Sequence, residues 1–285
     1  MRLGFGLGLQ YSKLSGGGNT DAFIIEVKTD NAGTSNNNQF QFTGAQGDYD
    51  VVAKQNDIVV ANFNDLSNQE TITLPSSGVY NLEIKAKEVN GFNRIAFDNG
   101  GDKLKITDIK QWGDVVWSSF NDAFFGCSNM LTTATDVPNL SNVTDMNDMF
   151  RNATIAIPDV SNWDVSSVTS MNSMFFGATS ANPDVSNWDI SSVTSMYYIF
   201  SNASSANPDV SNWDVSSVTN MSSMLVNSNL SVENLTSIYE NWSQLQLQQN
   251  VSFDAGTIKY NSSGQAGRDI LVNTYNWTIE DGGQV

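Results

Sequence analysis

The chain writes nearly the same line three times. "IPDVSNWDVSSVTSMNSMF" begins at residue 157, "NPDVSNWDISSVTSMYYIF" at 182 and "NPDVSNWDVSSVTNMSSML" at 207. The step is 25 residues throughout: Trp163, Trp188 and Trp213 keep it, as do Val143, Val168, Val193 and Val218, and Met146, Met171, Met196 and Met221. A unit this short cannot close a core alone, so its apolar residues must be buried against the next copy. This requirement constrains the fold more than any other feature of the chain.

Within one unit, Val160-x-x-Trp163-x-Val165-x-x-Val168 fits the template of leucine-rich repeats, with tryptophan in a leucine slot. The template predicts a short parallel strand over "NWDVS", with Trp163 and Val165 inward and Asn162, Asp164 and Ser166 outward. The following "VTSMNSMF" spaces its apolar residues by three and four, as a short helical return does. The expected binding surface is therefore a concave face carrying Asn162, Asp164, Ser166, Asn187, Asp189, Ser191, Asn212, Asp214 and Ser216. Carboxylates on adjacent strands lie ~4.8 Å apart and repel by about 1 kcal/mol per pair in water. Hydrogen bonding or a cation must offset that repulsion. A second row, Asp159, Asp184 and Asp209, follows the turn prolines and is the alternative place for calcium, although the D-x-D-x-D-G density of a calcium loop is missing.

Composition removes whole classes of function. With 13 Lys+Arg against 30 Asp+Glu the net charge is −17, which disfavours nucleic acid and anionic lipid as partners. From Asp136 to Leu230 there are nine aspartates and one basic residue, Arg151. There is no histidine, hence no Ser-His or Cys-His dyad and none of the commonest zinc ligand. The single cysteine, Cys127, lies among apolar residues and reads as a small buried hydrophobe. No cofactor motif is present, and no segment is apolar enough to span a membrane.

The flanks read differently. In residues 1–20, Leu3, Phe5, Leu7 and Leu9 alternate with glycines before Gly16-Gly17-Gly18, the pattern of an extended docking arm and a flexible joint. From 21 to 113, "AFIIEVKT", "QFQFT", "YDVVAKQ", "DIVVANF", "ETITL", "VYNLEIKAK", "RIAF" and "LKITDIKQW" read as strands split by Gly/Asn/Asp turns, the pattern of an all-β sandwich. Its lysines, Lys85, Lys87, Lys103, Lys105 and Lys110, read as a solvated face. After Leu230 the period breaks, and Leu235, Ile238, Trp242 and Leu245 at helical spacing predict an α/β cap over 231–285, with Ser231 as N-cap. The expected organisation is an arm (1–20), a β-sandwich (21–113), a leucine-rich-repeat-like solenoid of parallel strands plus short helices (114–230) and a C-terminal cap.

"LSNVTDMNDMF" and "DVSNWDVSSVTSMNSMF" with its copies resemble the repeats of BspA-like bacterial surface proteins. "IKQWGDVVWSSFNDAFFGCSNM" is similar to the lead-in to such repeats, "FIIEVKTDNAGTSNNNQ" to a domain that often precedes them, and "VSFDAGTIKYNSSGQAGRDILVNTYNWTIEDGG" to their usual ending. The chain departs where that first domain usually reads "DVDWGDG", carrying "DVVAKQND" instead. The resemblance implies an adhesion or recognition scaffold without catalytic residues. Of the functions compatible with it, a virion surface protein of a bacteriophage (spike, head fibre or tail component) is favoured. It would dock to another virion protein by its N-terminal arm, form a homo-oligomer and attach to a host surface glycan or protein. A secreted or cell-surface adhesin is the alternative; it would need a signal peptide and an anchor, and the chain displays neither. A glycan-cleaving carboxylate pair needs no histidine, but equivalent rows of aspartates do not supply two differently tuned acids.

Overall fold

The computed structural model describes residues 21–87 and 91–285; the expected arm at Leu3, Phe5, Leu7 and Leu9 lies outside the described residues. Strands β1 (Phe23–Lys28), β2 (Gln39–Gln41), β3 (Asp48–Gln55), β4 (Ile58–Ser67), β5 (Thr71–Thr73), β6 (Val79–Ala86), β7 (Ile106–Gln111) and β8 (Leu131–Thr132) form two sheets. One has six strands in the order β4-β3-β6-β1-β7-β8; the other pairs β2 with β5. All neighbours are antiparallel except β7 and β8. Period-two alternation buries Phe23, Ile25 and Val27 of β1 and Tyr49, Val51 and Ala53 of β3. Register aligns these residues across the sheet, Val51 facing Ile84 and Ile84 facing Phe23, so one face is continuously apolar. The segment "RIAF" is not a strand; its Arg94 makes one bridge, to Gln46.

Lys105 does not lie on a solvated face. It is fully buried, and its ammonium donates to the carbonyls of Ser35, Asn36 and Gln39 at 3.0, 2.9 and 3.0 Å and to the Ser35 hydroxyl at 2.7 Å. Asp102, 3.7 Å away, accepts the backbone N–H groups of Thr34, Ser35 and Gln41. Burial lowers the lysine's pKa and Asp102 opposes that shift. A buried charge persists only when its partners replace water in this way, and here the pair fastens an Asn-rich turn to the start of β7.

The leucine-rich-repeat solenoid of parallel strands and short helices is overturned. Among the described residues between β8 and the first α-helix, none belongs to a named strand or helix. "NWDVS" is turn and coil, and the expected helical return is a run of turns. The reason lies in the backbone amides. Those of Met171, Ser173, Phe175 and Gly177 donate to Ser195, Tyr197, Ile199 and Ser201 of the next repeat at 2.8–3.0 Å. Those of Met174, Phe176 and Ala178 close local turns onto the carbonyls three residues back. A helix needs every amide to point at the fourth residue behind it; here every second one leaves the repeat. Positive φ at Asp148, Ser173, Tyr198 and Ser223 prevents helical continuation. What forms is a stack of turns joined by one column of parallel bridges, Asp145–Ser170–Ser195–Asn220.

Side chains repeat with the backbone. Phe150, Phe175 and Phe200 stack at 5.7 and 5.6 Å, and Trp188 lies parallel to Trp213 at 6.4 Å. Each indole N–H donates to a carbonyl one repeat back: Trp188 to Val160 and Trp213 to Val185, both 2.9 Å. Trp163 heads this column; its indole nitrogen is buried without an acceptor, and its ring packs edge-on against Trp112 at 5.5 Å. Through Trp112, Trp117, Phe92 and Tyr49 the core of the stack runs unbroken into that of the sheet.

Helix α1 (Val232–Trp242) closes the far end. Ser231 caps it by accepting the Asn234 N–H, and Trp242 continues the indole column by donating to Val210 at 3.1 Å. Helix α2 (Gln265–Asn273) packs on α1 through Gly267, where a Cβ would fall 2.1 Å from the Tyr239 carbonyl oxygen. The parallel pair β9 (Ser252–Asp254) and β10 (Thr278–Glu280) completes the cap, its Ser252 and Asp254 carbonyls accepting from Met221 and Leu225.

Two outcomes follow from this arrangement. Trp188→Ala empties a buried site between two copies and removes an indole hydrogen bond. A loss of ~3–5 kcal/mol is expected, read as a fall in denaturation midpoint; an unchanged midpoint would place the indoles outside the core. Asp122 is half-buried, and burial, then the charges of Asp98 and Asp148, raise its pKa from 3.8 to about 6. The folded state therefore keeps this proton to higher pH than the unfolded chain, and stability falls as pH rises from 3.8 to about 6. Asp122→Asn, which still suits the positive φ there, should raise the melting temperature at pH 7.5 and progressively less toward pH 4. A gain that does not vary with pH contradicts this reading.

Candidate functional site

The tripeptide Asp-Val-Ser or Asp-Ile-Ser occurs twice in each repeat, at 159–161, 164–166, 184–186, 189–191, 209–211 and 214–216. The middle residue, Val160, Val165, Val185, Ile190, Val210 or Val215, is buried, while all six aspartates are exposed. With its centre plugged into the core, each tripeptide bends so that the aspartate accepts from the serine two residues on, a short turn that aspartate favours. Asp164 Oδ1 accepts the Ser166 hydroxyl at 2.6 Å and its N–H at 3.2 Å; Asp189 repeats this with Ser191 at 2.6 and 3.1 Å. Asp214 accepts the Ser216 N–H at 3.0 Å. In the other row Asp159, Asp184 and Asp209 each hold the hydroxyl of Ser161, Ser186 or Ser211 at 2.7 Å.

The serine hydroxyl, and after it the serine N–H, hold the Asp164, Asp184 and Asp189 carboxyls below the usual carboxylate range. Repulsion along the row acts the other way but is minor: the Asp189 charge is the smallest of the influences on Asp164. Local hydrogen bonds thus offset the repulsion. Among the described residues no three acids or thiols are placed to hold a metal ion, so the calcium alternative at Asp159, Asp184 and Asp209 has no ligand set.

Asn162, Asp164, Asn187, Asp189, Asn212 and Asp214 are all exposed, but they project from turns and not from a concave strand face. Where the stack meets α1, Asn212 and Asp214 face Asn241 and Gln244 across an open recess of about 380 Å³. Sequence reasoning placed Ser166, Ser191 and Ser216 beside the aspartates as independent binding groups; they are the aspartates' own hydrogen-bond partners. The Asp-x-Ser spacing was the available signal. It also passed over the aromatic pair Tyr197-Tyr198, which breaks the repeat pattern.

Comparison with known proteins gives one family match. Residues 118–252, from the turn before Phe120 to the first residue of β9, match the model described as "Mycoplasma protein of unknown function, DUF285". No curated protein and no solved structure matches the chain. The matched span covers the stack of repeats and helix α1, so the likeness concerns the repeated region and the start of its cap.

Proposed function

We propose that this chain is a non-catalytic recognition scaffold that displays ordered polar rows from a rigid stack. The observation that carries the reading is the sixfold recurrence of one exposed Asp-x-Ser turn, in two rows of 25-residue step, in which each aspartate accepts from the serine two residues on. Each aspartate is exposed and has the serine two residues on as its local partner. Acid–base chemistry needs two carboxyls in contrasting environments, whereas a multivalent surface needs many in the same one. Ionised carboxylates flanked by amides and hydroxyls, on a chain of net charge −17, suit a hydroxyl-rich glycan or a basic protein surface. The setting we propose is the exterior of a bacteriophage particle. The alternation of Leu3, Phe5, Leu7 and Leu9 with glycine supports docking to another virion protein, and the resemblance to BspA-like surface repeats supports attachment.

Replacing Asp164, Asp189 and Asp214 together with Asn tests this reading. The amide oxygen can accept the same serine bonds, so the melting temperature should hold. Binding to a panel of immobilised glycans and basic proteins should fall at least tenfold, a change of about 1.4 kcal/mol. Unchanged binding by a variant of unchanged stability would remove the rows from the recognition surface.

A further inference from the structure

One repeat differs from its copies where the stack does not require it. The tract that carries the positive φ reads Asn147-Asp148, Asn172-Ser173, Tyr197-Tyr198 and Ser222-Ser223 in successive repeats. The backbone is the same in all four: φ is 55° at Asp148, 53° at Ser173, 59° at Tyr198 and 52° at Ser223. This left-handed region suits Asp, Asn and other small polar residues and is unfavourable for a bulky ring. Ser173 N–H donates to Tyr197 O at 2.8 Å and Tyr198 N–H to Ser222 O at 3.0 Å through main-chain atoms; the side chains that join repeats here are Asn147 and Asn172, whose Oδ1 atoms accept the N–H groups of Asn172 and Tyr197 at 2.7 and 3.1 Å. Packing does not account for the ring either, because Tyr198 is 39% exposed. A strained, exposed aromatic that neither the ladder nor the core needs points to a function.

Its surroundings give that function a shape. The outward position three residues on from Ser173 holds Phe176, and one repeat back the equivalent place holds Arg151, the sole basic residue of the repeats. The Arg151 guanidinium lies 4.9 Å from the ring centres of both Phe125 and Phe176 and donates to Asp148 at 2.8 Å. Phe176 meets Tyr198 edge-on at 6.0 Å, and Tyr198 meets Tyr197 edge-on at 5.4 Å. Arg151, Ser173, Phe176, Tyr197 and Tyr198 line an open recess of about 390 Å³, within the size range of small-ligand sites.

We propose that this recess binds a pyranose ring of a neutral glycan. Ring faces of Tyr198 and Phe176 match the C–H face of a sugar, whose hydrogens carry slight positive charge toward the negative face of an aromatic ring. Phenol hydroxyls and guanidinium edges suit the sugar's own hydroxyls. Charge selects against the alternatives. Arg151 disfavours an ammonium ligand, although perpendicular aromatic walls would otherwise welcome one. An anion gains little, because Asp148 already pairs that guanidinium and the chain is strongly acidic. The recess lies eight residues beyond Asp189 in its repeat and does not depend on the carboxylate rows.

The neighbouring repeats supply the test. Tyr197→Asn with Tyr198→Ser restores the residues of the preceding copy and relieves the left-handed tyrosine, so the double variant should fold and melt no lower than the full-length parent chain. Titrations by calorimetry would use cellohexaose, maltohexaose, mannohexaose and chitohexaose, with tetramethylammonium as a cationic control. The parent should bind at least one hexasaccharide, and the double variant should bind it at least tenfold more weakly. Binding of none of the four sugars, or equal binding by the double variant, overturns the proposal. So does preferential binding of tetramethylammonium, or concentration-dependent self-association that only the double variant loses, which would assign the recess to a contact between copies.

Discussion

The structure depends on a backbone ladder in which every second amide of a seven-residue tract in each repeat donates to the next repeat. Four such bonds join the 171–177 tract to the 195–201 tract, four join 146–152 to 170–176 and four join 196–202 to 220–226. Most of the intervening amides close three-residue turns, while those of Asn172 and Tyr197 donate to the Asn147 and Asn172 side-chain oxygens one repeat back. This division explains why the region is neither helix nor sheet. It also explains the strict period, since a donor set offset by one residue would face carbonyls already accepting local turn bonds, such as those of Met196, Tyr198 and Phe200. The stacked phenylalanines and the indole column follow from that register and do not create it.

The two ends of the ladder are closed by different means. At the start, Phe97 and Asp98 donate to Asp122 and Asn99 donates to Phe125, so the stack grows out of the sheet region and shares its core. At the end, α1 supplies Trp242 in place of a further repeat's tryptophan, and β9 accepts the last outgoing amides. Each closing element satisfies polar groups that a free end would leave exposed, the general need of a stacked array. Between these ends the surface is a periodic copy of one turn, which is how equivalent carboxylates come to be displayed in rows.

Much of this was legible in the sequence. The period, the inward course of Trp163, Val165, Val168 and Met171, the burial of Cys127 and the capping role of Ser231 all follow from spacing and residue type. The local conformation of the repeat was not legible, because a tract such as "VTSMNSMF" has helical spacing while its amides bond elsewhere. Residues such as Ser173 that adopt positive φ carry no distinctive signature, and non-local hydrogen bonds override weak helix propensity. Lys105 was misread for a related reason. Alternation along a strand reports which way a side chain points, but the carbonyl cage that makes burial tolerable comes from residues about 70 positions earlier in the chain. For the candidate sites, the exposed aspartates were found by pattern. The aromatic recess is marked instead by a break in pattern, Tyr197-Tyr198 where the copies have small polar residues.

The most direct test of the ladder is to remove one repeat in register and one out of register. Deleting residues 157–181, a full 25-residue step, joins Ala156 to Asn182 and leaves each donor opposite an equivalent carbonyl. Deleting 157–180 instead displaces the whole downstream set by one residue. Thermal unfolding of both, followed by near-ultraviolet circular dichroism, should show a single cooperative transition with a small drop in midpoint for the 25-residue deletion and loss of that transition for the 24-residue deletion. If both deletions melt alike, the stack is held by side-chain packing alone and the ladder is not its basis.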